Sequence, residues 1–407
     1  MGYTKEVVRG ISWVTLQRGL LKVLVFVKTA LLARILTPTQ FGVFGIATLI
    51  LGLLEIITET GINIFLVQED RKDSIEHYLN TAWIVSIIRG LILGVIIWIS
   101  APLISNFFNN PDSLSVIRLM AMVPVIRGFI NPSLAGLQKN LNFRKEFWFK
   151  SGISLVEICV AITLSFLLRS SISLVWSLIV AAVAEVIASH RLLNPKPKLI
   201  FEREKWNLII HQGKWVLSAG VLSYMTTRGP SFLVGKLLST TALGLYDMAY
   251  NLSTLAATEI SDIFNRVTFP VYVRIINDKP RCRKAFIKNV ILVTALILPP
   301  TLFLFLFPKP IVDIVLGNQW LMAVSLIKLM AVFGFVATVG GAVSPLLLAA
   351  KHQNFLSHIT AFQMLVLAII IVPFIREFGA HGAGYALILA MILASPLKVW
   401  YVYQVLK

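Results

Sequence analysis

Long apolar stretches alternate with short polar connections along the whole chain. Twelve of these stretches reach roughly 20 residues, the length that crosses a bilayer as an α-helix. We predict transmembrane helices at 12–35, 42–66, 81–107, 114–137, 149–168, 172–193, 213–237, 243–265, 285–307, 320–349, 355–375 and 380–403. The pattern therefore predicts an all-α integral membrane protein with about twelve transmembrane helices.

Composition supports the bilayer as the solvent of this chain. Of its 407 residues 57% are hydrophobic and only 14% are charged, whereas soluble chains carry charge on about a quarter of their residues. The net charge of +18 would suggest nucleic acid as a partner for a soluble protein. Here most of the excess lies between the spans, so we expect no nucleic-acid partner.

Lysine and arginine are distributed unequally between the two sets of connections. One set carries Arg71, Lys72, Lys139, Arg144, Lys145, Arg191, Lys196, Lys198, Arg203, Lys205, Arg274, Lys279, Arg281, Arg283, Lys284 and Lys351. The other carries little beyond Arg34, Arg169, Lys236, Lys309 and Arg376. By the positive-inside rule the first set is cytoplasmic, and an even number of spans then places both termini there. The N-terminal segment lacks a small-residue cleavage site, so we expect the first span to be retained.

The two halves of the chain repeat one another. LLARILTPTQFGVFGIATLI at 31–50 aligns without gaps with LVGKLLSTTALGLYDMAYNL at 233–252, and IRLMA at 117–121 aligns with IKLMA at 327–331. Pro102 and Asn110 likewise align with Pro310 and Asn318. An ordered series of matches indicates duplication of a whole half. We therefore predict two six-helix lobes, 1–200 and 201–407, in the same orientation, with the central gap between them as the substrate site.

Several cations lie inside the predicted spans, where a charge costs roughly 2.5–3.5 kcal/mol and usually faces a cavity. On the first span three of them share an arc of the helix that also holds threonines. The cations that we predict to bind an anionic substrate are Arg18, Lys22, Lys28, Arg89, Arg127 and Arg228. Cations nearer the outer ends of their spans are expected to reach the membrane interface instead: Arg118, Lys328, Arg34 and Lys236.

Acidic residues also occur inside the spans. Pairing with the cations is one interpretation; coupling to a transported proton or sodium ion is the other. The candidates for ion coupling are Glu55, Glu59, Asp247 and Glu259. The histidines are scattered, the two cysteines have no metal-binding spacing, and no nucleophile and base stand out. We therefore expect no catalytic residues, no metal and no cofactor apart from a coupling ion.

Two backbone features are notable within the spans. Arg228-Gly229-Pro230 lies near the middle of the seventh span, where proline removes a backbone hydrogen bond. We expect an interrupted, kinked helix that either lines a cavity or has a packing role only. Gly90 and Gly94, four residues apart, predict close helix packing.

Particular segments resemble a known family. The segments 31–49, 61–68, AGLQKNLNFRK, GKWVLS, 233–252, NRVTFPVYVR and LGNQW are similar to those of polysaccharide flippases of the Wzx and teichuronic-acid exporter type, within the multidrug/oligosaccharidyl-lipid/polysaccharide exporter superfamily. The resemblance implies a MATE-like parallel repeat that translocates an undecaprenyl-pyrophosphate-linked oligosaccharide across the bacterial inner membrane by alternating access. It also implies a role in lipopolysaccharide or exopolysaccharide synthesis, with polysaccharide polymerase machinery as a candidate partner. Relatives often carry an acidic residue where this chain has Gly229-Pro230, so the chain departs from the family there.

Two other functions remain open at this point. A cation-coupled multidrug exporter of the same superfamily would carry cationic or neutral amphiphiles and would need an acidic cavity. A membrane polysaccharide polymerase or lipid-linked glycosyltransferase would need a sizeable outer catalytic loop. The connections predicted outside are short, as at 37–40, 169–172 and 239–242, so we do not expect an enzyme.

Overall fold

The structure is a computed structural model that describes residues 2–58, 74–139, 142–200 and 203–407. Every regular element within these residues is helical. The α-helices are α1 (Gly2–Ile35), α2 (Pro38–Ile57), α3 (Ser74–Phe107), α4 (Ser113–Met120), α5 (Met122–Arg127), α6 (Leu134–Lys139), α7 (Phe143–Leu168), α8 (Ile172–Leu192), α9 (Arg203–Leu237), α10 (Thr240–Ile275), α11 (Lys279–Leu306), α12 (Pro308–Ile311), α13 (Val324–Gly341), α14 (Ser344–Ala349), α15 (Gln353–Phe378), α16 (Ala380–Leu393) and α17 (Ser395–Leu406). A π-helical turn, Val312–Leu316, and a 3₁₀ helix, Asn318–Ala323, join α12 to α13.

Eight helical stretches of the described residues are long and apolar enough to cross a membrane. They are Pro38–Ile57, Tyr78–Phe107, Phe143–Leu168, Ile172–Leu192, Lys279–Leu306, Asn318–Ala349, Gln353–Phe378 and Ala380–Leu406. The other four predicted spans fall in α1, in α4–α6, in α9 and in α10, which carry many of the interior charges. The predicted end of the second span, at 66, lies outside the described residues.

The fourth predicted span, 114–137, is three short helices rather than one. Pro124 lacks a backbone N–H, and its ring crowds the carbonyl of the residue four positions earlier, Met120, where α4 ends. Likewise, α13 ends at Gly341, four residues before Pro345, and α16 ends at Leu393, three residues before Pro396. These breaks lie next to prolines and are not visible in the hydropathy, although α3 and α10 continue through Pro102 and Pro270.

Glycines let α3 approach α5 closely, as the Gly90 and Gly94 spacing predicts. A Cβ at Gly90 would overlap the backbone carbonyl of Pro124, and one at Gly94 would overlap the side chain of Val125. From the other side, a Cβ at Gly128 would lie 2.8 Å from the carbonyl oxygen of Ser86. The predicted close packing is confirmed.

The sequence repeat has a local structural counterpart where the first helix of each half meets the second. Thr37 is the N-cap of α2, and its hydroxyl accepts a hydrogen bond from the N–H of Gln40, whose side chain accepts the N–H of Thr37 in return. Ser239, the aligned residue, is the N-cap of α10 and accepts from the N–H of Ala242 at 3.1 Å. Both halves therefore start their second helix with the same kind of cap.

The chain divides into two compact units, residues 1–229 and 230–407. In the first unit α7 packs on α1 and α8, and buried side chains such as Leu32, Leu36 and Leu174 form a core there. In the second unit α10, α11 and α13 pack together, as do α15 and α16. The predicted lobe boundary at 200/201 stays a prediction; it differs from this division in assigning the first part of α9 to the second half.

Candidate functional site

Two of the predicted substrate-binding cations lie on an exposed face of α1. Arg18 and Lys22 are exposed and, being four residues apart, lie on the same side of the helix. Gln17, about 100° around the helix from Arg18, is buried, and α1 packs along α7. Both cations interact with other groups of the chain, but their exposed positions also leave them accessible to a ligand.

Lys28, on the same helix, is in a different environment. Its Nζ lies 2.7 Å from Oε1 of Glu157 on α7, and the two side chains are only 21% and 22% exposed. The ion pair joins α1 to α7 and neutralises both charges. For this cation, pairing with an acid is what the structure shows, and a role in substrate binding stays a prediction.

The Lys28–Glu157 pair yields a stability prediction. Lys28→Glu and Glu157→Lys alone each place like charges together, and we expect each to lower the free energy of unfolding by about 1–3 kcal/mol because a half-buried charge loses its partner. The double variant with exchanged charges should recover most of this loss. Thermal unfolding of the detergent-solubilised protein measures it; an exchange variant as unstable as the single variants would contradict the pairing.

Arg89 on α3 caps the end of α2. Its Nη2 donates to the carbonyl oxygen of Glu55 at 2.7 Å, and its Nε donates to Oγ1 of Thr58 at 3.1 Å. The last carbonyls of a helix lack partners and carry partial negative charge, which a guanidinium satisfies. Arg89 therefore fixes the end of α2, and with it the position of Glu55.

Arg127, at the end of α5, faces the same acid. Its Nη1 lies 3.9 Å from Oε1 of Glu55, and the side chains of Arg127 and Glu55 are 40% and 38% exposed. The Nε of Arg127 is buried and has no hydrogen-bond partner among the described residues. The long separation and the unpartnered Nε show that the described residues hold Arg127 loosely.

Two further charged residues, Lys150 and Glu185, extend the group formed by Glu55 and Arg127. The sequence did not predict that they lie together. Arg127 and Lys150 of α7 both act electrostatically on half-buried Glu185 of α8. Lys150 also pairs with Glu146, which is 4% exposed. Glu146 and Lys150 are four residues apart, and this spacing on a helix indicates an ion pair. The electrostatic interaction of Lys150 with Glu185 depends on how α7 packs on α8, which no local pattern reveals.

Arg228 is half-buried in the C-terminal third of α9. The helix is continuous from Arg203 to Leu237 with Pro230 inside it, so the predicted interruption is absent, while the kink stays a prediction. The hydroxyls of Thr226 and Thr227 bond to carbonyls one turn earlier, at Leu222 and Ser223. The backbone N–H groups of Thr226 and Thr227 are directed at the same two carbonyls within the helix, so the hydroxyls do not replace the bond that Pro230 removes from the carbonyl of Thr226.

The segment of α9 that precedes Arg228 contacts α2. The hydroxyl of Tyr224 donates to the carbonyl oxygen of Leu49 at 2.7 Å. Gly52 makes room for this ring, since a Cβ there would lie 2.8 Å from the tyrosine oxygen. Glu55 follows Gly52 within one turn, so Glu55, Arg89 and Arg127 lie together at the end of α2. A Cβ at Gly220 would lie 2.9 Å from the side chain of Ile56, so α9 meets the end of α2 about two turns before Arg228.

The predicted ion-coupling acids are not gathered at one place in the described residues. Glu55 belongs to the group just described, and Glu59 lies outside the described residues. In the second unit Asp247 accepts a hydrogen bond from buried Ser231 at 2.6 Å. Glu259 is half-buried and interacts with another group. No cluster of histidine, cysteine and acidic residues within the described ranges could hold a metal ion.

Among the described residues, the charges on the membrane-spanning helices of the first unit are more often positive than negative. Glu157, Glu55, Glu185 and Glu146 are engaged by Lys28, Arg127 and Lys150, and Arg89 binds backbone. Arg18, Lys22 and Arg228 add to this balance. Such a surface suits an anionic ligand and is unfavourable for a cation.

Comparison with known proteins decides the family. A family model described as "Polysaccharide biosynthesis protein" matches residues 31–325, well over half of the chain. The chain belongs to this family. Its relatives include the lipopolysaccharide biosynthesis protein WzxC of Escherichia coli K12, 23% identical over 98% of this chain and 81% of that protein. They also include the teichuronic acid biosynthesis protein TuaB of Bacillus subtilis 168, 24% identical over 86% of this chain and 73% of that protein. The predicted family of Wzx-type and teichuronic-acid-type proteins is confirmed.

Solved structures with a related fold match nearly the whole length of this chain. An inward-facing multidrug resistance transporter of the MATE family has a TM-score of 0.75 at 13% identity and covers 95% of this chain and 94% of its own. The lipid II flippase MurJ has a TM-score of 0.77 at 14% identity and covers 97% and 87%. The predicted all-α membrane fold of about twelve spans, MATE-like, is confirmed.

Proposed function

We propose that this multi-pass membrane protein is a flippase that moves a lipid-linked oligosaccharide from the inner to the outer leaflet of the bacterial cytoplasmic membrane. The observation that carries the proposal is the family match over 31–325 in a chain with the fold shared by MurJ and MATE transporters. One relative is named as a succinoglycan biosynthesis transport protein and one solved neighbour as a lipid II flippase. The family consists of transporters rather than enzymes.

The pyrophosphate of an undecaprenyl-linked substrate is the group that the first unit is suited to bind. Arg18 and Lys22 present exposed cations one turn apart on α1, and loosely held Arg127 offers guanidinium donors. Guanidinium and ammonium groups bind phosphate oxygens through charge-assisted hydrogen bonds. In this proposal Arg18, Lys22, Arg127 and Arg228 contact the anion, while Lys28 and Arg89 hold α1 and α2 in place through Glu157 and the end of α2.

The distribution of lysine and arginine predicts how the protein is oriented in the membrane, and the charge of the substrate supplies a driving force for its export. With both termini in the cytoplasm, as the distribution of lysine and arginine predicts, an anionic head group moves outward down the inside-negative potential, gaining about 2.3 kcal/mol per charge per 100 mV. Proton or sodium coupling through Glu55, Glu59, Asp247 or Glu259 would add to this drive without being required. A polysaccharide polymerase acting outside the membrane is the expected consumer of the product.

A multidrug exporter is the second candidate, because a MATE multidrug transporter shares the fold as closely as MurJ does. Two observations favour the glycan. The sequence relatives are named for polysaccharide synthesis, and the interior of the first unit is more basic than acidic.

Genetic complementation separates the two candidates. We expect the gene to restore surface polysaccharide in a bacterial strain that lacks its own Wzx-type flippase and to leave resistance to cationic dyes unchanged in a strain that lacks drug exporters. Dye resistance without restored polysaccharide would favour the multidrug exporter and would contradict the proposal.

A further inference from the structure

Within the described ranges, an aromatic ring is the one partner of a cation on the first unit. The Cζ atom of Arg118 on α4 lies 5.4 Å from the ring centroid of Trp98 on α3. Its Nε is buried without a hydrogen-bond partner, and its side chain makes no hydrogen bond or ion pair within the described residues. A guanidinium over the face of tryptophan is attracted by the ring quadrupole, yet its donors remain unsatisfied by the protein.

The second unit contains the same arrangement. The Nζ atom of Lys328 on α13 lies 5.8 Å from the ring centroid of Phe305 on α11. Its ammonium group has no hydrogen bond or ion pair in the part of the chain that the structure describes, and the residue is exposed. Here too an aromatic face is the contact that the protein supplies.

The two pairs are related by the internal repeat. Arg118 and Lys328 align within IRLMA at 117–121 and IKLMA at 327–331. The rings lie on α3 and α11. Pro102 lies on α3 and the aligned Pro310 on α12, and in that alignment the two ring positions are one residue apart. Both halves of the chain therefore place a cation over a ring on the preceding long helix, which points to a shared role.

Both rings lie on surfaces that face away from the cores of their units. Trp98 is 53% exposed and lies on α3 beside exposed Ile99 and Leu103, whereas Ile97 is buried. Phe305 is 42% exposed and lies beside exposed Leu306 on α11. Exposed apolar faces on membrane-spanning helices meet lipid, so the two cations lie at a lipid-facing surface.

From this geometry we infer that the Arg118–Trp98 and Lys328–Phe305 pairs each bind the headgroup of an anionic membrane phospholipid. A cation with unsatisfied donors at an apolar surface needs an acceptor, and the phosphate diester is the strong acceptor that a bilayer supplies. Arg118 lies in the last turn of the short helix α4, which follows the connection at 108–112, and Lys328 lies near the start of α13, which follows the 3₁₀ helix after Gly317. Both positions are near the ends of their predicted spans, where long cationic side chains reach headgroups. In the proposed orientation these headgroups belong to the outer leaflet. The sites would anchor each unit independently of transport.

Native mass spectrometry of the full-length protein tests this inference. Detergent-solubilised protein would be mixed with phosphatidylglycerol, and the lipids retained per molecule would be counted. We expect Arg118→Gln and Lys328→Gln each to lose one retained lipid and the double variant to lose two, while Arg118→Lys retains its lipid because it keeps the charge. Trp98→Leu should weaken retention at the first site.

The matched control is the other aligned pair of cations near the same ends of their spans. Arg34 and Lys236 interact with other groups of the chain, so Arg34→Gln with Lys236→Gln should leave retention unchanged. Equal retention in wild type and the Arg118/Lys328 double variant would overturn the inference, as would an equal loss in the control. Displacement of phosphatidylglycerol by an equal concentration of undecaprenyl pyrophosphate, or by inorganic phosphate, would also overturn it. The measurement involves no transport, so its result is independent of the proposed function.

Discussion

Reversing the charges of α1 is expected to abolish glycan export. In the Arg18→Glu/Lys22→Glu variant two exposed cations that would bind the pyrophosphate become anions on the same face of the helix. Losing two charge-assisted contacts of about 1.5–3 kcal/mol each should lower transport at least a hundredfold, before repulsion is included. Restored surface polysaccharide in the complementation strain measures the effect.

Two controls make this expectation specific. Arg18→Lys with Lys22→Arg preserves the charges and should support near-normal export. Arg376→Glu reverses an exposed cation in the last turn of α15, in the second unit, and should export normally. If the double glutamate variant inserted into the membrane as well as wild type and exported glycan fully, Arg18 and Lys22 would not be substrate-binding residues.

Adding one methyl group at the contact of α3 with α5 is expected to destabilise the fold strongly. The Cβ of Gly90→Ala would overlap the carbonyl of Pro124, a backbone group that cannot move without displacing α5. Overpacking of this kind costs about 1–3 kcal/mol, a large share of a typical stability of about 5–15 kcal/mol. Because α5 carries Arg127, export should fall together with the thermal unfolding temperature.

Gly152→Ala is the matched control, since it also adds a methyl group to a glycine within a long helix. A Cβ there has nothing within 4 Å, so the higher helix propensity of alanine should leave stability unchanged or raise it by up to about 1 kcal/mol. Thermal unfolding of both variants in one detergent makes the comparison. Equal effects at the two glycines would contradict the close packing of α3 on α5.

The fold was predictable from the sequence because its signals are local. Apolar stretches mark the spans, and the aligned caps at Thr37 and Ser239 show that the repeat extends to hydrogen bonding. Breaks within spans were predicted less well. The fourth span divides next to Pro124, yet α9 continues through Pro230, and α3 and α10 continue through Pro102 and Pro270. A proline removes one backbone hydrogen bond in each case, so its presence in the sequence does not by itself show whether the helix ends.

The candidate site was predicted only in part, since partners distant in sequence decide what each charge does. Lys28 and Arg18 have similar surroundings in the sequence, but α7 brings Glu157 to Lys28 and leaves Arg18 exposed. Arg89 likewise binds the end of α2 through a contact that requires α2 and α3 to be adjacent. Whether the predicted cations bind substrate remains a prediction.

Translocation in proteoliposomes tests the central claim most directly. The purified protein would be reconstituted with a fluorescent undecaprenyl-pyrophosphate-linked oligosaccharide in both leaflets, and a membrane-impermeant reagent would report how fast the label crosses. We predict rapid crossing with wild type, accelerated by a potential that drives anions toward the reagent, and background rates with Arg18→Glu/Lys22→Glu. Wild-type crossing no faster than in protein-free liposomes, at either polarity of the potential, would contradict the account.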